Sequence, residues 1–224
     1  MVPEAATTAT VPVQPAVEVE VEVEVEVEVE CRSPQATRAL AARLGAGLVG
    51  GDVVVLTGEL GAGKTTFVQG LARGLGVSAP VTSPTFVLAR HQRPDPSGPR
   101  PGGPDLVHVD AYRLQGALEL DDLDLDSDLD HAVVVVEWGR GLAERLSPRR
   151  VEVGIDRSRG SGDGQPGDRP TGDGQPGDGP TEETDDPEDE PRVVRLRVVG
   201  GHPHLDGAAL AGLVRREHEQ EDAC

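Results

Sequence analysis

The feature that most constrains this chain is a short apolar run that breaks into a glycine-rich loop and then into an amphipathic helix. Asp52 to Thr57 reads as a buried strand, and Lys64 to Leu75 places Phe67, Leu71 and Leu75 on one helical face before Gly76 stops it. The loop between them, Gly58-Glu59-Leu60-Gly61-Ala62-Gly63-Lys64-Thr65, matches G-x-x-x-x-G-K-[ST] in full. Phosphate oxygens need a concave array of backbone N–H donors. Gly61 and Gly63 permit the close approach, the residues from Gly58 to Thr66 supply the amides, and the helix N-terminus adds a favourable dipole. The pattern predicts Lys64 at the β- and γ-phosphates of a bound nucleotide and Thr65 on an accompanying Mg²⁺. A glycine-rich turn with a chance lysine is the plain alternative, and the strand and helix flanks argue against it.

Lysine usage sharpens this reading. Lys64 is the one lysine among 21 cationic residues, so arginine serves everywhere else. A guanine-recognition motif containing N-K-x-D is therefore excluded, which favours ATP. A P-loop ATPase also needs a carboxylate at the end of a neighbouring strand. Asp110, after the run Leu106 to Val109, and Glu137, after Val133 to Val136, both qualify, and spacing alone does not rank them.

The rest of the chain reads as one α/β domain with appendages. Ser33-Pro34 is a helix start, with the helix running to about Leu48. Further strands are predicted at Thr85 to Ala89, Leu106 to Val109, Ala132 to Val136, Val151 to Ile155 and Val193 to Val199. Runs such as Val133 to Val136, without polar alternation, predict burial on both faces of a mostly parallel sheet. The last two strands lack a crossover helix between them and are expected to close the sheet as an antiparallel hairpin. The fold class is thus α/β, a three-layer P-loop NTPase fold.

Composition sets the appendages apart. Residues 17 to 30 are seven Val-Glu pairs whose aligned carboxylates repel, so residues 1–32 are expected to be a disordered acidic tail. Residues 33–156 form the ATPase domain, and 157–191, with a repeated Gly/Pro/Asp decapeptide and an acidic run, a disordered insert. Residues 192–215 return as the closing strand and C-terminal segment, and 216–224 as a flexible terminus. Arg93 to Pro104 reads as a long surface loop.

The formal net charge of −19 lies mostly in the tail and insert and argues against autonomous binding to DNA, RNA or an anionic membrane. Two cysteines, Cys31 and Cys224, make no disulfide framework, and the absence of a membrane-length apolar run or signal peptide leads to a cytoplasmic expectation. The six histidines show no zinc-site spacing.

Four stretches taken together resemble the bacterial TsaE (YjeE) ATPases: Gly58 to Phe67, Thr82-Ser83-Pro84-Thr85-Phe86, His108-Val109-Asp110-Ala111-Tyr112-Arg113-Leu114, and Val136-Glu137-Trp138. The resemblance covers roughly residues 33 to 156 plus the strand after the insert. It implies Thr65 and Glu137 as Mg²⁺ ligands, Thr85 in a switch-like loop over the γ-phosphate, and Asp110 assisting hydrolysis by ordering water or metal. It also implies Trp138 as the aromatic beside the acid and Thr37 near the base. The implied function is a Mg²⁺-dependent, slowly hydrolysing ATPase that supports the complex forming threonylcarbamoyl-adenosine in tRNA beside the anticodon. TsaD-like and TsaB-like proteins are the implied partners, with tRNA contacted only indirectly. A small-molecule kinase, with the loop from Arg90 to Arg100 as lid, and a nucleotide-dependent binding module with negligible turnover are the alternatives.

Overall fold

The computed structural model describes residues 23–84, 87–114, 117–123, 125–157 and 190–213. Seven strands form one sheet: β1 (Val23–Cys31), β2 (Val53–Thr57), β3 (Ala89–Gln92), β4 (Asp105–Asp110), β5 (Ala132–Glu137), β6 (Arg150–Arg157) and β7 (Arg192–Val199). Their spatial order is β1-β7-β6-β2-β5-β4-β3. The helices are α1 (Pro34–Gly47), α2 (Lys64–Leu75), α3 (Ala117–Asp121), α4 (Leu125–Leu129) and a helical segment α5 over 207–213.

The central strands β6, β2, β5 and β4 are parallel, whereas β3 joins β4, and β7 joins β6 and β1, in antiparallel fashion. The expected closing hairpin is present, but "mostly parallel" holds only for the centre of the sheet. The physical reason is connection length. The β3–β4 connection carries no crossover helix, and without one a chain can only return antiparallel.

Each strand's residue pattern follows what covers it. All of β5 is buried because its faces are both capped. Val133 and Val135 pack under α1 and α2, while Val134 and Val136 meet Leu120, Leu125 and Ala143 on the opposite side. Strands β6 and β7 alternate, since their second face carries Glu152, Arg195 and Arg197 rather than a helix.

Helix α1 begins as expected, with Ser33 Oγ accepting from the Ala36 amide at 3.1 Å and Pro34 in the first turn. It packs closely against α2. A Cβ on Gly74 would lie 2.1 Å from the Ala42 carbonyl oxygen, and one on Gly70 2.3 Å from that of Arg38, so the helix approach requires both glycines. Each costs about 1 kcal/mol of helix propensity. The close approach seals Leu40, Leu44, Phe67, Leu71 and Leu75 from water, each such burial contributing about 1.5–3 kcal/mol. Packing therefore outweighs propensity.

The acidic Val-Glu tract departs from expectation. Residues 23–31 are ordered as the edge strand β1, paired with β7 from Val23↔Val199 to Cys31↔Arg192. Val25, Val27, Val29 and Cys31 face the α1 side, where Val29 and Cys31 are buried. Glu26 and Glu28 face the open side, where β7 supplies the countercharge: Arg195 Nε donates to Glu28 at 2.8 Å, and Arg197 Nε lies 3.2 Å from Glu26. Carboxylate repulsion along one strand is thus offset by arginines of the next, Arg195 lying 167 residues from Glu28 in sequence. Residues 1–22 lie outside the described residues.

Two boundaries also shift. The strand expected over Thr85 to Ala89 is instead β3 at Ala89–Gln92, because Val87 and Leu88 turn back on the Pro84 carbonyl and Leu88 takes φ 62°. Arg157 belongs to β6 and pairs with Arg192, leaving 158–189 of the insert outside the described residues, as are 214–224. Among the described residues, no helix is long and apolar enough to cross a membrane.

Candidate functional site

The site lies at the C-terminal ends of β2, β4 and β5, facing the N-terminus of α2. Lys64, the first residue of α2, folds back so that Nζ donates to the carbonyls of Gly58 at 2.8 Å and Glu59 at 2.9 Å. Its ammonium also sits 3.8 Å from the centre of the Trp138 ring. Burial lowers its pKa from the ordinary lysine value, and the nearby charges of Glu137 and Asp110 oppose that shift without cancelling it. Gly63 caps the helix in the left-handed region, φ 103°, and nothing lies within 4 Å of where its Cβ would be. The loop thus presents open space at the helix N-terminus, where backbone amides and dipole favour an anion.

The register of the sheet brings both candidate acids together. Asp110 and Glu137 are paired residues at the ends of adjacent parallel strands, and both are buried. They have different partners. Thr65 Oγ1 donates to Glu137 Oε1 at 3.1 Å, joining the glycine loop to β5. Asp110 accepts from the Tyr112 amide at 3.1 Å and from Ser83 Oγ at 3.3 Å, which ties β4 to the 82–84 segment.

Behind Glu137 stands a residue that spacing did not single out. His108 is fully buried and its Nε2 lies 2.8 Å from Glu137 Oε1, while its Nδ1 has no hydrogen-bond partner among the described residues. His108 shares a strand face with Asp110 two residues on, which the alternation of β4 could have shown. Its contact with Glu137 needed the β4–β5 register. Ser83 and Arg192 are the other additions. Arg192 is buried and donates from Nε to the Ala62 carbonyl at 3.2 Å, bracing the glycine loop from β7.

Trp138 takes φ 60°, rare for a bulky residue, and is held by its amide to the Leu56 carbonyl at 2.9 Å. That backbone turn swings its ring over Lys64 and to within 5.2 Å of the exposed ring of Tyr112. A second recess opens on the other side of the loop, lined by Pro34, Thr37, Arg38, Gly63, Thr66 and Arg192. Thr37 therefore stands close to the loop, with its hydroxyl donating to the Ser33 carbonyl.

Among the remaining expected residues, Glu59, Leu60 and Gly61 form the exposed crest of the loop, Ala62 is buried and Thr66 is half-buried. Thr85 lies outside the described residues. The loop from Arg90 to Arg100, the candidate lid of the kinase alternative, is elsewhere. Arg100 donates to the carbonyls of Gly45 and Leu48 at the end of α1, and the segment then enters the first residue of β4. That is the opposite end of the sheet from Lys64.

A parallel strand that runs through a glycine loop into a helix, beside strands ending in buried carboxylates, defines a P-loop-type α/β protein. The chain belongs to the TsaE family, "Threonylcarbamoyl adenosine biosynthesis protein TsaE", whose family model matches residues 31–163. It is similar to the tRNA threonylcarbamoyladenosine biosynthesis protein TsaE of Mycobacterium tuberculosis, 57% identical over 127 residues that cover 54% of this chain and 73% of that protein. The protein of the same description from Bacillus subtilis is 39% identical over 127 residues, covering 56% of this chain and 75% of its relative. The crystal structure of Bacillus subtilis YdiB superposes with a TM-score of 0.55 at 26% identity, covering 88% of this chain and 97% of YdiB. Membership of this family places the chain in tRNA threonylcarbamoyladenosine biosynthesis.

Proposed function

We propose that the chain is a Mg²⁺-dependent ATPase, with a three-layer P-loop NTPase fold, that hydrolyses ATP slowly on its own and supports the complex forming threonylcarbamoyl-adenosine in tRNA. The observation that carries this reading is the convergence of Lys64, Thr65, Glu137 and Asp110 on one cleft around the glycine loop. In this reading Lys64 exchanges the Gly58 and Glu59 carbonyls for β- and γ-phosphate oxygens, and the amides from Gly58 to Thr66 hold the phosphate chain.

The donor set fits Mg²⁺: a hydroxyl and a carboxylate oxygen 3.1 Å apart are hard oxygen ligands beside the phosphate site. When bound, the ion neutralises charge on the phosphates. Glu137 and Thr65 hold it, His108 orients the carboxylate, and Asp110 with Ser83 orders the attacking water. Thr85 is proposed to close over the γ-phosphate. Among the described residues no arginine lines the cleft between Lys64 and Asp110, which is why turnover without partners is slow. Partners similar to TsaD and TsaB supply the chemistry on tRNA, and the acidic charge of this chain favours indirect contact with tRNA in a cytoplasmic setting.

The test is ATP hydrolysis by the purified protein, alone and with TsaD and TsaB partners, in wild type, Lys64→Ala and Glu137→Ala. Partner-stimulated turnover that falls about 100-fold or more in both variants supports the reading. Hydrolysis indifferent to Lys64 would overturn it, and nucleotide binding without turnover under any condition would leave a binding module in its place.

A further inference from the structure

At the end of the sheet opposite the glycine loop, three chain segments meet. His91 lies in β3, Asp105 opens β4, and His131 directly precedes β5. One ligand atom from each falls within 4.8 Å of the others, and His91 Nε2 is 2.8 Å from Asp105 Oδ2. The register explains the meeting. His91 pairs with Val107, two residues beyond Asp105, so the imidazole and carboxylate share a face. Asp105 pairs with Ala132, and its amide donates to the His131 carbonyl at 3.1 Å.

We propose that His91, Asp105 and His131 form a binding site for a divalent transition-metal ion of the zinc type, clipping the β3–β4 hairpin to the turn ahead of β5. Two imidazoles and one carboxylate are the donors such an ion prefers, and three protein ligands leave a fourth position for water. The same donors suit Mg²⁺ poorly, which separates this site from the oxygen ligands at Thr65 and Glu137.

Tetrahedral ligands at zinc distances stand about 3.3 Å apart, so the widest gap here must close by about 1.5 Å. The side chains can move that far, being 39% exposed at His91 and 56% at His131. The competing explanation is a surface ion pair, since Arg93 Nε also lies 3.7 Å from Asp105 Oδ2. Arg93 is 84% exposed and is free to leave when a metal takes the carboxylate. His131 has an ion-pair contact of its own, Asp128 Oδ1 at 3.9 Å, but that is a long contact, and the ring still lies within 6.4 Å of that of His91 from a third segment. The distance from the cleft assigns the metal a structural role.

The experiment is titration of the tag-free full chain with Zn²⁺ against a chromophoric chelator, with Co²⁺ absorption as a reporter of ligand number and geometry. One equivalent binds in wild type, and His91→Ala and His131→Ala each weaken binding by about 100-fold or more. His204→Ala, which alters the separate pair beside Asp52, and Glu137→Gln, at the glycine-loop site, both keep it. Zinc raises the Tm of wild type but not of His91→Ala. Absence of stoichiometric binding, binding that survives both His91→Ala and His131→Ala, or equal loss in His204→Ala would each overturn the proposal.

Discussion

Lys64 is the residue at which sequence and environment pull hardest against each other. Its ammonium is desolvated, which lowers its pKa despite Glu137 and Asp110. A lowered pKa means that the charged form costs stability at all pH below that value, and the cost fades as pH rises towards the ordinary lysine range. A polyphosphate favours the charged form, so nucleotide binding at the proposed site would draw a proton onto Lys64. Affinity for ATP should therefore fall as pH rises through the lowered pKa of the free protein. Calorimetry in buffers of different ionisation heat should show net proton uptake in that window, and zero uptake there would contradict the account. His108 carries a second prediction. It holds Glu137 at 2.8 Å inside the protein, so His108→Ala should cost about 1–3 kcal/mol in urea unfolding by leaving a buried polar side chain one hydrogen-bond partner short. The same change should raise the Mg²⁺ concentration needed for half-maximal turnover; an unchanged Mg²⁺ requirement would remove His108 from its positioning role.

Elements were legible in the sequence where local chemistry decides them. Ser33-Pro34, the 58–65 loop and the valine run of β5 carry their own start signals, loop glycines and burial pattern, and each formed where expected. β1 was not legible, because its stabilising partner is another strand. An isolated Val-Glu tract has only its own repulsion; paired with β7 it has arginines across the open face and a place for its valines under α1. Replacing Glu26 and Glu28 by lysine should lower the urea midpoint. The difference from wild type should shrink in about 1 M salt, where the Debye length is about 3 Å. A deficit that ignores salt would show that strand pairing, not charge, dominates this edge.

Across the whole molecule, the sheet separates two ends with different chemistry. The C-terminal ends of the parallel strands carry the glycine loop and carboxylates, and the other end carries the His91, Asp105 and His131 cluster. Strands β6 and β7 run in register to Arg157↔Arg192, so the hairpin is complete without the long insert. Replacing residues 158–189 by Asn-Gly should keep ATP binding and raise stability by about 1–2 kcal/mol through the shorter closure. Loss of ATP binding in that variant would assign the insert a role at the site. The sequence by itself determined the glycine loop, its lone lysine, and the strand-ending acids, because each is a local pattern. Tertiary structure decided which residues those acids touch, that β3 runs antiparallel to β4, that the acidic tract becomes an edge strand, and that His91, Asp105 and His131 converge without zinc-site spacing. All of these depend on strand register, which is set by which faces are buried and is absent from any one stretch of chain.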